Sequence, residues 1–140
     1  MIKMYKALNI ILVILFTCSL PVSAELLLET ETSWDSGRIN YPDGRPEITS
    51  LILRLEEGVI TRFHCHPVPT LGYVLKGKIK VETIEGKTAV FSEGESVVEV
   101  MNTLHRGTAV AGPVEVVVFY AGARGMPNTV YPEDSSDACK

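Results

Sequence analysis

Gly58-Val59-Ile60-Thr61-Arg62-Phe63-His64-Cys65-His66-Pro67-Val68-Pro69-Thr70-Leu71-Gly72-Tyr73-Val74-Leu75-Lys76-Gly77 is the stretch on which the reading of this chain turns. It opens after the turn Glu56-Glu57-Gly58, and its β-type residues predict a strand over Val59–His66 that Pro67 and Pro69 stop. A second short strand is expected over Gly72–Leu75, with a turn at Lys76-Gly77. Side chains two apart on a strand point to the same face, so His64 and His66 can converge on one ion while Cys65 points away. A pair of histidines at this spacing is a weak signal when it stands alone. Core or surface histidines are common, and what matters is the surrounding pattern.

Outward from that stretch, short β runs alternate with turns, the pattern of a sandwich or barrel. Ile48–Leu55 precedes it, with Leu51, Leu53 and Leu55 on one face. Lys78–Ile84 follows, with Ile79, Val81 and Thr83 on one face and Lys78, Lys80 and Glu82 on the other, a half-buried antiparallel strand. Glu85-Gly86 reads as a hairpin turn into Thr88–Phe91. Glu93-Gly94-Glu95 turns into Ser96–Met101, and Asn102-Thr103 breaks that run before His105. Gly112-Pro113 reads as another hairpin ahead of Val114–Tyr120, a β-branched final strand. His105 lies about 40 residues beyond the first pair, a distance that suits a neighbouring strand.

The glycine framing sharpens this. Gly58, His64, His66 and Gly77 fall where the first motif of the cupin family, G-x5-H-x-H-x3-E-x6-G, has its glycines and histidines. Gly94 and His105 fit the second, G-x5-P-x-G-x2-H-x3-N. Gly72-Tyr73-Val74-Leu75-Lys76-Gly77 is similar to the strand that joins them in that family. The resemblance covers about residues 47–121 and implies an all-β fold, a jelly-roll-like barrel (the cupin double-stranded β-helix). It also implies a metal site inside the barrel on His64, His66 and His105, and pairing into a homodimer.

The departures bear on chemistry. Position 70, where the family has a glutamate, is Thr70. In the second motif Val100 and Asn102 replace the proline and glycine, and Ala109 replaces the asparagine. Three neutral imidazoles leave the charge of a divalent ion uncompensated, a set that suits Fe, Zn, Ni or Cu better than Mg or Ca. Some metal-dependent dioxygenases in the family use such a site. Thr70 either orients a bound water or fills the space of the missing side chain. Arg62 shares the strand parity of the histidines and is a candidate for holding a substrate carboxylate, with a solvated Arg at the mouth as the alternative. Tyr73 and Tyr120 are candidates for pocket lining, with core packing as the alternative. Glu99 and Arg106 flank the second motif, as outer partners of the site or as a solvated pair. No catalytic residue is assigned. Three functions stay open: a dioxygenase-like metalloenzyme acting on a small anionic or diketone-like molecule, a non-catalytic module that binds a small ligand or metal, and a barrel whose metal site has decayed.

The 140 residues are 46% hydrophobic, enough for one domain and not two. Residues 1–24 carry the pattern of a signal peptide: Lys3 and Lys6, the apolar run Ala7–Phe16, and Val22-Ser23-Ala24 for cleavage. The run is shorter than a membrane span requires, and Leu15-Phe16-Thr17-Cys18 fits a lipobox poorly. Export to the periplasm or outside the cell is therefore expected, with no lasting membrane association. The expected parts are a lead-in over 25–46, the barrel over 47–121 and a tail over 122–140. Removing the leader leaves 17 acidic residues and a net charge near −6, which argues against a nucleic-acid partner and leaves a small molecule as the expected one. Cys65 and Cys139 remain. A disulfide between them, two free thiols, or an intermolecular link through Cys139 are all open.

Overall fold

The computed structural model describes Val22–Glu133 and Cys139. The expected signal peptide therefore lies almost wholly outside the described residues, as does the expectation for the end of the tail at 134–138 and 140. Five strands form one antiparallel system: β1 Pro46–Leu55, β2 Thr70–Thr83, β3 Thr88–Ser92, β4 Ser96–Val98 and β5 His105–Ala123. Their order is β1-β5-β2-β3, with β4 on the first part of β2.

The predicted alternation holds where the sheet is half buried. Ile79, Val81 and Thr83 are buried, and with Val74, Val114, Val116, Val118 and Tyr120 they make up much of the core wall. Burial of such valines and isoleucines is the main stabilising term, about 1.5–3 kcal/mol for each fully buried side chain. The hairpin at Glu85-Gly86 is present, closed by Gly86 N–H donating to the Thr83 carbonyl at 3.0 Å.

Two expected turns are not turns. β2 runs straight through Lys76-Gly77, and β5 runs straight through Gly112-Pro113. The two strands pair along almost their whole length, and the register shifts between Val74 and Ile79. The glycines mark a bulged bend in two long paired strands, because a bulge calls for the same positive φ as a turn. Gly77 has φ 77°, and a Cβ there would meet the Pro113 carbonyl oxygen at 2.6 Å and the Ala111 oxygen at 3.0 Å. Only glycine fits at this crossing. The bend curls the sheet, so the two halves of β2 and β5 serve different walls of the barrel. The later half of β5 pairs with β1, while its first half turns its free side to residues 58–64.

That last segment is the other correction. Val59–His66 is not a continuous strand. It touches β5 through isolated bridges, Ile60 with Thr108 and His64 with His105. Gly58 N–H and Thr61 N–H donate to the Ala109 and Gly107 carbonyls, both at 2.9 Å. β1 ends the sheet order and is largely solvent-facing: Ile48, Leu51 and Ile52 are all exposed, while Leu53 and Leu55 pack against the core. The lead-in is irregular and crosses the outer face of the sheet, where Leu27, Leu28 and Tyr41 help wall a groove of about 450 Å³.

Candidate metal centre

His105 opens β5, and its backbone exchanges two hydrogen bonds with His64, at 2.9 and 3.0 Å. His66 is fixed differently: its carbonyl accepts from Asn102 N–H at 2.9 Å. Asn102 has φ 51°, a left-handed conformation that Asn tolerates better than most side chains. It stands where the family motif has glycine, so the substitution keeps the backbone path into His105. The three rings then face each other, with centroids 4.6, 4.9 and 5.0 Å apart. One ligand atom from each lies within 4.8 Å of the others.

The orientation of the rings settles their protonation. Nδ1 of His64 lies 2.8 Å from the Arg62 carbonyl oxygen, that of His105 2.8 Å from the Thr103 oxygen, and that of His66 2.9 Å from the Asn128 oxygen. A carbonyl only accepts, so each Nδ1 carries its proton and donates, and each Nε2 keeps its lone pair. Backbone anchoring of one ring nitrogen is how metal-ligating histidines are commonly held. Burial keeps the rings neutral: it lowers the pKa of His64 and His105, and together with its two histidine neighbours it lowers that of His66 to about 3. Nε2 of His105 is buried without a hydrogen-bond partner, a vacancy in its bonding that a metal ion would satisfy. Three neutral imidazoles in a water-poor pocket fit a transition metal.

The other sequence candidates fall on both sides of the wall. Thr70 is buried and lines an interior cavity of about 70 Å³ beside His66, although its hydroxyl donates to the Val68 carbonyl at 3.1 Å. Tyr120 lines the same cavity, its ring 5.5 Å from that of His66. Tyr73 does not. It has the parity of exposed Leu71 and walls the outer groove under the lead-in. Arg62 is not in the interior either. The chain leaves the ladder between Ile60 and His64, so strand parity does not carry back from the histidines. Arg62 is exposed, pairs with Glu133 and stacks 3.9 Å over the Tyr131 ring. Arg106 likewise sits outside, bound to Glu82.

Two participants stood in the sequence only as open alternatives, the tail through a Cys65–Cys139 disulfide and Glu99 as an outer partner of the site. The tail returns over the site: Val130 pairs its backbone with Cys65 in two 2.9 Å hydrogen bonds, and Cys139 forms a disulfide with Cys65. Thr129 Oγ1 adds a 3.3 Å contact to His66 Nδ1. The second participant is Glu99, whose Oε2 is buried, unpartnered and 3.7 Å from Nε2 of His105. Burial raises its pKa, and the neighbouring Trp34 indole N–H opposes the rise. A hint was present in Ser96-Val97-Val98-Glu99-Val100, where one acid interrupts a run of valines.

Residues 51–120 match the cupin domain family. The chain belongs to the cupin family. Among solved structures of similar fold are the DMSP lyase DddQ from Ruegeria pomeroyi and the oxalate decarboxylase from Lactobacillus farciminis. The lyase is 17% identical, with a TM-score of 0.52 over 59% of this chain and 42% of that one. The decarboxylase is also 17% identical, with a TM-score of 0.54 over 62% of this chain and 27% of that one. A cupin-like protein from Thermotoga maritima is 18% identical, with a TM-score of 0.52 over 60% of this chain and 63% of that one. This cupin therefore spans less than half the length of the lyase and the decarboxylase, and the likeness is one of fold. No curated protein matches it significantly in sequence.

Proposed function

We propose that this cupin holds one divalent transition metal, Fe, Zn, Ni or Cu, on His64, His66 and His105, and acts on a small molecule as a dioxygenase-like metalloenzyme. The observation that carries the reading is the shared tautomer. All three Nδ1–H groups are spent on backbone carbonyls, which leaves three Nε2 lone pairs for one ion. When bound, the metal would supply Lewis-acid or redox chemistry that no side chain in the pocket offers. The protein's own part is to keep the imidazoles neutral, to wall the cavity with Val74, Ile79 and Val118, and to exclude bulk water. Structures of oxalate and DMSP enzymes share the fold, which is in keeping with a small-molecule substrate.

A second reading, a module that binds a small ligand without turnover, is favoured by size. A cavity of about 70 Å³ has room for about two waters, each taking about 30 Å³ of liquid volume. The leader pattern in residues 1–24 supports export to the periplasm or beyond, and the exposed apolar residues of the edge strand β1 support a homodimer. Elemental analysis of the protein purified without added metal or chelator tests the reading. About one equivalent of a transition metal in the wild type and almost none in His64→Ala is the expected result. Equal metal content in the two sinks the ligand set. Oxygen uptake across a substrate panel then separates turnover from simple binding, which would show only as ligand-induced thermal stabilisation.

A further inference from the structure

The missing glutamate at position 70 leaves an ion on three neutral ligands, yet the pocket is not without a carboxylate. Glu99 follows β4 directly, and its backbone N–H donates to the carbonyl of Thr70 at 2.8 Å. The two residues are therefore neighbours on adjacent chain segments, one carrying the small side chain and the other the acid. Both line the interior cavity together with His66. The carboxylate stem keeps 18% exposure, but Oε2 is sealed from solvent and makes no hydrogen bond; Nε2 of His105, 3.7 Å away, is sealed and unbonded too.

Two of three unpartnered buried polar atoms, Glu99 Oε2 and His105 Nε2, face each other, with the third, the Trp34 indole Nε1, beside Glu99. The indole N–H can serve the carboxylate but not His105 Nε2, so the arrangement stays costly unless something sits between them. A direct hydrogen bond is not that something, because 3.7 Å is beyond its reach. A cation accounts for both atoms at once. Two ligands with bonds of about 2.1 Å to one ion stand about 3.0–3.5 Å apart. The Glu99 carboxylate, 3.7 Å from His105 Nε2, is therefore close to ligand spacing from that ring and has to swing further toward His64 and His66, whose ligand atoms already group with that of His105.

Resting on the metal-site reading above, we infer that Glu99 supplies the anionic ligand that position 70 lacks, giving a site of three imidazoles and one carboxylate carried on the neighbouring segment. Such a site neutralises half of the ion's charge before any substrate arrives. It holds a divalent metal more tightly than three histidines do, and it relaxes the need for an anionic substrate.

Cobalt(II) titrated into the metal-free protein is the test, read by visible d–d absorption and by competition with a chromophoric chelator. Glu99→Gln is expected to lose at least tenfold in affinity and to shift the absorption bands, because a ligand changes. The exchange Thr70→Glu/Glu99→Thr, which returns the acid to the other segment, is expected to recover affinity and bands close to those of the wild type. It also provides the answer if the single variant does not fold. Unchanged bands in Glu99→Gln, with or without a loss of affinity, overturn ligation by Glu99 and leave the three-histidine reading standing. Failure of the wild type to bind cobalt at all overturns both readings.

Discussion

His105 and the pair His64/His66 serve one site but are held by different mechanics. His105 begins a 19-residue strand laced to β2 through a long antiparallel register and backed by Val74, Val114 and Val116. His64 and His66 lie on a segment with only isolated bridges, and part of its support comes from the tail: a backbone pair at Val130, the Asn128 carbonyl on His66, and the disulfide from Cys139 to the residue between the two histidines. One ligand belongs to the barrel and two belong to a latch. The barrel's stability and the site's integrity are therefore separable properties.

The sharpest way to break the comparison is to open the latch. Cys139→Ser, or reduction of the wild type, is expected to cost about 2–4 kcal/mol in urea unfolding and to weaken metal binding. Equal metal affinity with and without the disulfide would mean that the tail does not position His64 and His66. The opposite variant is Val114→Ala, which empties part of the fully buried core away from the cavity beside His66. A loss of about 2 kcal/mol in stability is expected, with metal affinity in the folded protein close to that of the wild type.

Acid provides a third lever on the metal-free protein. The folded-state pKa of His66 is lowered to about 3 and those of His64 and His105 are lowered as well. Groups depressed by folding bind more protons when unfolded, so stability is complete above the ordinary histidine range and falls as pH drops below about 6.5. At pH 5, His66 alone is expected to account for about 2 kcal/mol. Glu99 works in the opposite direction, since a raised carboxyl favours the fold at lower pH. Flat urea midpoints between pH 7 and pH 5 would mean that the histidines are not buried in solution. The smallest effect is expected from Arg62→Ala, which removes an exposed ion pair and a ring contact at the rim of the latch. It should cost under about 1 kcal/mol, detectable as slightly faster hydrogen exchange at Val130.

These contrasts also show what was readable from the chain alone. Period-two alternation at Ile79, Val81 and Thr83 is a local property, and the burial of those residues follows it. The motif spacing at Gly58, His64, His66, Gly94 and His105 carried the family. Gly77 and Gly112 misled in a specific way: a positive φ announces a departure from regular backbone, and sequence does not say whether the chain reverses there or only bends. The parity argument for Arg62 failed because it assumed a ladder that the segment lacks. Glu99 was legible only as one of two alternatives, and the tail only as one end of an optional disulfide, for a simpler reason. Their roles depend on contacts with Thr70, His105 and Cys65 across long stretches of chain, which no local pattern encodes.

The latch also imposes an order on the making of the protein. His64, His66 and His105 have all been made once β5 has been synthesised, but Asn128, Val130 and Cys139, which hold two of them, come afterwards. A growing chain therefore passes through a stage in which the cradle exists with its cover still missing. During that interval an ion could enter freely, and joining Cys65 to Cys139 in a disulfide, with an external oxidant taking the two electrons, would then shut it in. Timing during biosynthesis, as well as affinity, would govern which metal the finished molecule carries.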